Sequence, residues 1–233
     1  MSGRELTLLG EGRVELLGRI LRSSNETFLV RIASGADAGR AVYKPEAGER
    51  PLSDFQPGLF RRERAAFLLS EYLAWGLVPP TVIREDGPLG IGSLQWFVDC
   101  DFREHYFTLY ADAPETHPFL SRIALFDYVT NNTDRKSGHV LRGDDGRIWG
   151  IDHGLCFSGP FKLRTVIWDF AGEPIPGALL EDIIPLADAV PAEVAELLDG
   201  AEVAALQRRV RRVLHDGVLP VDHTGMRYPW PLV

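Results

Sequence analysis

Five polar residues of this 233-residue chain have the types and the order that phosphoryl transfer requires. Transfer of a phosphoryl group needs cations against the nucleotide phosphates, carboxylates for divalent metal ions, and one carboxylate that orients the acceptor hydroxyl. The sequence supplies such groups at Lys44, Glu63, Asp134, His139 and Asp152. They predict ATP chemistry that transfers a phosphoryl group to an alcohol.

The first pair combines a strand lysine with a helix glutamate. Lys44 ends a predicted strand (AVYK), and Glu63 lies in the predicted helix that follows. In kinases, this arrangement directs the lysine toward the α and β phosphates. A single Lys–Glu pair is more often a surface salt bridge, so its meaning depends on the second half of the chain.

The second half carries the more specific spacing. Four residues separate Asp134 from His139, as in the D-x4-N catalytic loop of kinases, and a predicted strand then delivers Asp152 followed by His153 and Gly154. The stretch NNTD alone is also typical of an Asx-turn. The joint order of lysine, glutamate and both aspartates favours catalysis over that structural explanation.

The elements before residue 99 predict a β-rich lobe. Alternating apolar residues from Gly12 to Lys44 predict a three-stranded antiparallel meander, and helical spacing predicts a helix over Leu59–Leu77. Two short strands, TVIRE and GSLQWFV, flank the turn DGPLG. Residues 1–98 are therefore predicted to be an N-terminal lobe made of a sheet and one helix.

The rest of the chain changes to helix and loop. A helix is predicted over Phe119–Val129 with Pro118 near its start, followed by the loop NNTDRKSGH and the hairpin HVLRG–DDG–RIWGIDH. Two or three helices and a tail containing proline and tryptophan follow. Residues 99–233 are predicted to be a mainly α lobe with a hairpin. The predicted fold class is α+β and bilobal, of the atypical protein-kinase-like type.

Composition limits the partners. The chain is 45% hydrophobic and 25% charged, and no apolar stretch approaches the ~18 residues of a membrane helix. A net charge of −8 opposes binding to nucleic acid or to anionic membranes, so neither nucleic-acid binding nor stable membrane insertion is expected. Two isolated cysteines and an N-terminus without a continuous apolar core favour a cytoplasmic location.

These motifs resemble those of the phosphatidylinositol 3/4-kinase superfamily, most closely the type II phosphatidylinositol 4-kinase group with its bacterial relatives, including an actinobacterial group. The organisation is also similar to that of HipA-type kinases. The matching stretches are SSNETFLVRI, VYKPEAGERP, RRERAAFLLSEYL, GSLQWFV, FDYVTNNTDRKSGHVL and GIDHGLCF. The resemblance implies an atypical kinase fold and ATP with Mg²⁺ or Mn²⁺ as cofactors.

The resemblance also implies roles for the nucleotide-binding residues. Lys44 would contact the α and β phosphates, with Glu63 orienting it. The loop above the phosphates would comprise Ser23, Ser24 and Asn25. The adenine pocket would be lined by Gln95, Trp96, Phe97 and Val98, although Trp96 and Phe97 could equally be core residues.

For the reaction itself, the resemblance implies that Asp134 orients the acceptor hydroxyl and Asp152 holds a metal ion. Arg135 would neutralise developing charge, or pair with a nearby acid. His139 stands where the family has a metal-binding asparagine. Because imidazole suits Mn²⁺ better than Mg²⁺, Mn²⁺ is expected to support activity better, unless His139 plays a structural role.

Other departures from the family leave the acceptor open. The phosphate loop has no glycine, and the chain lacks the cysteine-rich palmitoylation segment and basic face of the membrane-anchored lipid kinases. Lys162 and Arg164 could read a phosphorylated acceptor or be solvated charges. The leading interpretation is a kinase acting on a protein or small-molecule hydroxyl, or on a phosphoinositide. The alternatives are a nucleotide-binding pseudokinase with a regulatory role and an AMP transferase.

Overall fold

The computed structural model describes residues 3–21 and 23–232. Within them, the strands are β1 (Arg13–Arg19), β2 (Phe28–Ser34), β3 (Asp37–Pro45), β4 (Thr81–Arg84), β5 (Gly92–Trp96), β6 (Val140–Arg142) and β7 (Ile148–Gly150). The α-helices are α1 (Gly3–Glu11), α2 (Leu59–Tyr72), α3 (Tyr106–Asp112), α4 (His117–Thr130), α5 (Gly177–Ile183), α6 (Ala192–Ala195) and α7 (Gly200–Asp216). This mixture confirms the predicted α+β class.

The first five strands form one antiparallel sheet in the order β1-β2-β3-β5-β4. Side chains alternate across a strand, so each strand contributes to both faces. On β3, Ala41 and Tyr43 join a buried cluster with Leu8 and Leu9 of α1. Lys44 is the next residue and therefore lies on the opposite face, away from α1.

Helix α2 ends five residues before the predicted end at Leu77. Ala74 and Gly76 have φ values of 54° and 56°, which take the backbone out of the helical region. The Ser70 hydroxyl then accepts the N–H groups of Leu77 at 2.8 Å and Val78 at 3.3 Å, and both of these residues are buried. The apolar positions that resembled a continuing helix instead pack as a buried turn leading to β4.

The larger hydrophobic core joins α2 and the turn after it to the helices and loops of the second part of the chain. Helix α4 contains the predicted helix, begins with Pro118 in its first turn, and buries residues on several sides. It ends at Thr130, and the next residue, Asn131, has a φ of 53° that starts the loop toward β6. Strands β6 and β7 form the predicted hairpin, with Gly146 at φ 79° in its turn. These elements place residues 131–139 beside the end of β7.

Helix α1 was not predicted, because its first residues mix apolar and charged side chains. It packs on the sheet through Leu8 and Leu9. Helix α7 begins with a reciprocal capping box between Asp199 and Glu202, and it ends before Gly217, at φ 67°. No helix in the described part of the chain is both long and apolar enough to span a bilayer.

Candidate active site

Lys44 lies at the centre of a chain of opposite charges. Its Nζ donates to the buried carboxylate of Glu63 and, at 2.7 Å, to Oδ1 of Asp152. Burial acts to lower the pKa of Lys44, but the charges of Asp152 and Glu63 outweigh it and raise the pKa above its ordinary value. A lysine that stays protonated here can attract the oxygens of a phosphate group.

Asp152 follows β7 by two residues and has a left-handed backbone, with φ 61°. Aspartate is among the few non-glycine residues that tolerate this conformation. About half of its side chain, 48%, is exposed, and Oδ2 lies 3.4 Å from Nε2 of His139. Burial acts to raise the pKa of Asp152, but Lys44 and His139 reverse the effect and lower it, so the carboxylate is ionised.

Glu63 connects helix α2 to the segment after Asp152. Its two carboxylate oxygens accept the backbone N–H groups of His153 and Gly154, each at 3.1 Å. The side chain is only 2% exposed, so these bonds and that of Lys44 satisfy a buried charge. One glutamate therefore fixes both the lysine and the backbone next to Asp152.

Asp134 faces the same cleft from residues 131–139. Its N–H donates to Oδ1 of Asn132 at 3.0 Å, which is the Asx-turn that the sequence also allowed. Its carboxylate accepts a hydrogen bond from Lys136. Burial raises the pKa of Asp134 even though Lys136 acts against it. An aspartate with a raised pKa is suited to orient and accept the proton of a hydroxyl.

Lys136 was missed by the sequence interpretation. Alternate residues of an extended segment point to one side, so a lysine two positions after Asp134 is placed to contact it. That spacing was the available signal. The contact puts a positive charge next to the carboxylate that would face the acceptor.

His139 is a neutral imidazole directed at Asp152. Burial lowers its pKa to about 4, although the charge of Asp152 acts in the opposite direction. Its Nδ1 receives only a long contact, 3.4 Å, from the N–H of Lys136. An O···N separation of 3.4 Å between Asp152 and His139 is compatible with two ligands of one cation, since each ligand would lie ~2.1 Å from the ion.

The two residues therefore fit a shared divalent cation whose other ligands are phosphate oxygens and water. Among residues 3–21 and 23–232, no group of three or more His, Cys, Asp or Glu side chains is arranged to hold a metal ion. A site of few protein ligands completed by substrate phosphates is known for Mg²⁺, whereas the imidazole of His139 suits Mn²⁺ better.

The predicted phosphate loop lies at the same cleft. Ser23, Ser24 and Asn25 line a cavity of about 40 Å³ together with Lys44, Glu63, Asp134 and Asp152. Ser23 Oγ lies 2.8 Å from Thr27 Oγ1, and Asn25 Oδ1 accepts the N–H of Arg50 at 2.9 Å. These bonds, one local and one to a neighbouring turn, fix the conformation of a loop that has no glycine.

Gly48 explains how a loop without glycine is held. Its carbonyl accepts the N–H of Glu26 at 2.9 Å, and a Cβ on Gly48 would lie 2.6 Å from the Glu26 Cβ. A side chain at this position would therefore push the phosphate loop away. The required glycine lies in the neighbouring turn instead of the loop itself.

The predicted adenine-pocket residues do not all face the cleft. Gln95 pairs with Val42 across the sheet and is buried, with Nε2 donating to Thr81 Oγ1 at 2.9 Å. Trp96 packs with the cluster under α1, and its ring covers Gly39, which fits the core role that the sequence also allowed, while its adenine role stays a prediction. Side chains alternate between the two faces of a strand. The face of the sheet that carries Lys44 lines the cleft, and Trp96 of β5 lies on the other face.

Phe97 and Val98 line a second cavity of about 290 Å³ together with Trp96. Its other walls include Pro79, Pro80 and the turn of the β6–β7 hairpin. Neither Phe97 nor Val98 lines the cavity of about 40 Å³ that contains Lys44 and Asp152. An adenine role for Phe97 and Val98 stays a prediction.

Two half-buried apolar residues share the cleft face of the sheet and were not predicted. Leu29 and Val42 are paired across β2 and β3, and Val42 lies two residues before Lys44. Strand alternation therefore puts Val42 on the face of Lys44. The alternation of side chains along these strands was visible in the sequence, but the face of the sheet that lines the cleft was not.

Arg135 lies beneath the cleft, which corrects its prediction as a catalytic residue. The side chain is fully buried in an ion pair with Asp127 at 2.9 Å. It also donates to the carbonyls of His139 at 3.2 Å and Ile151 at 2.7 Å. Arg135 thus pairs with a nearby acid and ties the loop of Asp134 to the strand end that carries Asp152.

Lys162 and Arg164 lie on the segment after Asp152. Nζ of Lys162 forms an ion pair with Asp54 at 2.8 Å, and the side chain of Arg164 is exposed. The backbone of Arg164 pairs with the loop of Asp134, through Asn132. The segment is therefore next to the cleft, and the reading of a phosphorylated acceptor by these two residues stays a prediction.

Comparison with known proteins identifies sequence relatives of this chain. No family model matches the sequence. Protein Rv2133c of Mycobacterium tuberculosis (strain ATCC 25618 / H37Rv) is 40% identical over 264 residues, covering 97% of this chain and 95% of that protein. Phosphatidylinositol 4-kinase gamma 4 of Oryza sativa subsp. japonica is 28% identical over 188 residues, covering 62% of this chain and 31% of the plant protein.

Solved structures show the same fold at low identity. The Golgi casein kinase with Mn/ADP bound matches 99% of this chain and 80% of its own, with 13% identity and a TM-score of 0.58. The structure of hydra Fam20 with sugar matches 91% of this chain and 86% of its own, with 13% identity and a TM-score of 0.54. The predicted atypical kinase fold is confirmed, while membership of the phosphatidylinositol 3/4-kinase superfamily and a HipA-like organisation stay predictions. The chain belongs to the same family as Protein Rv2133c of Mycobacterium tuberculosis, and it has an atypical kinase fold.

Proposed function

We propose that this protein is an ATP-dependent kinase that transfers the γ-phosphoryl group of ATP to a hydroxyl group. The observation that carries the proposal is the charge chain in which Lys44 joins Glu63 to Asp152, with Asp134 lining the same cleft. Phosphoryl transfer is catalysed mainly by positioning and electrostatic stabilisation, and these residues provide both.

Each residue has a role in the proposed reaction. Lys44 binds the α and β phosphates and is oriented by Glu63. The carboxylate of Asp134 accepts the hydroxyl proton as the acceptor oxygen bonds to the γ phosphorus, while the bond from phosphorus to the bridging oxygen breaks and ADP leaves. Lys136, hydrogen-bonded to Asp134, holds the carboxylate in place.

Asp152 and His139 would hold a divalent cation. When bound, such a cation neutralises phosphate charge and supports departure of ADP. The neutral imidazole of His139 is the protonation state that binds metals, since its pKa is lowered to about 4 by burial. Mn/ADP in the Golgi casein kinase supports the choice of nucleotide and metal by analogy of fold.

A second candidate is a nucleotide-binding pseudokinase with a regulatory role. The observation in its favour is the small volume, about 40 Å³, of the cavity at the phosphate loop. Ser23 and Asn25 of that loop already form hydrogen bonds within the protein. Asp134 argues for catalysis, because a protein that only binds nucleotide has no need of a carboxylate at the acceptor position.

The test is incubation of the purified protein with ATP labelled at the α or the γ phosphate, with Mg²⁺ or Mn²⁺. We expect the unmodified protein to transfer the γ label. The variants Asp134→Asn and Asp152→Asn should not transfer it. Asp112→Asn is the matched control, since Asp112 is exposed at the end of α3, outside the cleft. Transfer of α label would indicate AMP transfer, and binding without transfer would indicate a pseudokinase.

A further inference from the structure

The chain after α7 runs through residues 217–232, which we name the C-terminal strap. Its beginning is tied to the segment before α5. The N–H of Leu219 donates to the carbonyl of Glu173 at 2.9 Å, and the carbonyl of Leu219 accepts the N–H of Gly172 at 2.9 Å. The strap therefore leaves α7 in a fixed direction, toward the segment that follows Asp152.

The middle of the strap holds that segment through Arg227. The Arg227 carbonyl accepts two hydrogen bonds, from the N–H of Thr165 at 3.1 Å and from Nε1 of Trp168 at 3.2 Å. Its guanidinium lies 4.7 Å from the ring centre of Phe161. A backbone carbonyl with two donors and a stacked side chain forms a specific clamp on residues 161–168.

Asp222 gives the clamp its shape. Its Oδ2 accepts the N–H of Arg227 at 2.9 Å, and its Oδ1 accepts the N–H of Thr224 at 2.9 Å. Only 5% of the Asp222 side chain is exposed. Because local carboxylate-to-backbone bonds of this kind fix a turn, Asp222 sets where Arg227 meets Thr165.

The end of the strap reaches the loop of Asp134. The carbonyl of Leu232 accepts the N–H of Ser137 at 2.9 Å, and Ser137 is buried. Ser137 follows Lys136, whose ammonium group bonds the carboxylate of Asp134. The strap thus contacts the backbone beside the lysine that holds the aspartate.

The same loop is paired on its other side with the segment after Asp152. Arg135 donates its N–H to the carbonyl of Arg164 at 3.0 Å, and Val166 donates its N–H to the carbonyl of Arg135 at 3.1 Å. Residues 132–137 and 164–166 are therefore held to each other, and the strap holds both.

We propose that the C-terminal strap is a positioning element for phosphoryl transfer. It acts through Ser137 and Thr165 to fix the carboxylate of Asp134 relative to the acceptor hydroxyl. The proposal rests on the proposed kinase function. A misplacement of ~1 Å at a reacting group can cost ~100-fold in rate, so loss of the strap should lower kcat more than nucleotide binding.

The test compares the full chain with Asp222→Ala and with a chain truncated after Val221. Release of labelled phosphate from γ-labelled ATP, with water as acceptor, gives kcat and KM, and amide hydrogen exchange gives local protection. We expect kcat to fall ~10-fold or more with KM for ATP within ~2-fold. The amides of Ser137 and Thr165 should lose protection, whereas those of Arg135 and Val166 should keep it.

Asp222→Asn is the conservative control, since its single amide oxygen can still accept one of the two N–H groups, that of Arg227 or that of Thr224, which Asp222 accepts on separate oxygens. Its kcat should lie between that of Asp222→Ala and that of the full chain. An active full chain whose kcat is unchanged by truncation, despite lost protection at Ser137, would overturn the role of the strap alone. A full chain that releases no γ phosphate would overturn the proposed kinase function and the role of the strap with it.

Discussion

At Asp152 the charge and the backbone conformation can be separated by substitution. The left-handed φ of 61° is tolerated by aspartate and asparagine but strains other side chains. Asp152→Asn therefore keeps the backbone while it removes the charge that pairs with Lys44. We expect γ-phosphoryl transfer to fall ~100-fold or more, with little loss of thermal stability, as measured by initial rates and melting temperature. Transfer within a few-fold of the unmodified protein would contradict a metal-holding role.

Lys136 controls the protonation of Asp134. Burial raises the pKa of Asp134, and the hydrogen bond and charge of Lys136 act to lower it. Replacement by methionine removes that opposing effect, so the pKa of Asp134 should rise further. The acidic limb of the pH–rate profile should then move to higher pH for Lys136→Met. Lys136→Arg keeps the charge and serves as the control, and an identical profile for both variants would count against Asp134 as the base.

His139 offers a test of metal preference. Asparagine at this position replaces a nitrogen ligand by a carbonyl oxygen, which Mg²⁺ prefers. We expect His139→Asn to raise the ratio of the Mg²⁺ rate to the Mn²⁺ rate ~10-fold relative to the unmodified protein. Initial rates at saturating metal provide the measurement. A ratio that does not change would show that His139 is a structural residue next to Asp152.

Among the elements, helix α2 carries two neighbouring charged residues that bond parts of the chain far from it in sequence. Glu63 bonds the backbone after Asp152, and Arg62 forms a buried ion pair with Glu202 of α7. Each partner of that pair has only 9% of its side chain exposed. Glu202 also accepts the N–H of Asp199 at 3.0 Å in the capping box of α7. The position of α2 is therefore coupled to the start of α7.

The ion pair predicts asymmetric effects on stability. Arg62→Ala leaves a buried carboxylate unpaired and should lower the free energy of unfolding by ~3 kcal/mol. The double variant Arg62→Met, Glu202→Gln removes both charges and keeps the capping bond, so its loss should be smaller. Denaturant unfolding of the single and double variants measures the difference. Additive losses would contradict a buried, coupled pair.

The elements also show what the sequence could predict. The meander, helix α4 and the β6–β7 hairpin follow from period, proline and turn residues, and they place Asp134 near Asp152. Two features are not visible in the local patterns: β5 lies between β3 and β4, and Arg135 turns inward to pair with Asp127 inside the core. Local patterns do not encode which face of a strand lines the cleft, which is why the sequence left Trp96 between an adenine-pocket role and a core role.

For the whole molecule, the fully buried His153 and the mostly buried His139 make stability depend on pH. Burial lowers the pKa of His139 to about 4 and that of His153 well below its ordinary value. Between pH 6.5 and 4 the unfolded chain therefore binds protons that the folded protein does not. The stability from these neutral imidazoles is present above pH 6.5 and is lost as the pH falls toward 4.

The melting temperature of the metal-free protein should therefore fall as the pH is lowered from 7 to 5. The raised pKa of Asp134 acts in the opposite direction, but only near the ordinary range of a carboxyl group. His139→Asn removes one titrating group and should flatten the dependence. A melting temperature that stays constant over this range in metal-free buffer would contradict the burial of two neutral histidines.

The bond between Lys44 and Asp152 bears on the order in which ligands arrive. In the free protein, the ammonium group of Lys44 already neutralises the carboxylate that would bind a cation. A divalent ion alone must compete with that ammonium group, whereas ATP offers Lys44 its phosphate oxygens and releases the carboxylate. Metal and nucleotide should therefore enter as one complex, and the free ion should bind weakly. The lysine thus keeps the empty site from retaining cations that have no nucleotide to accompany them.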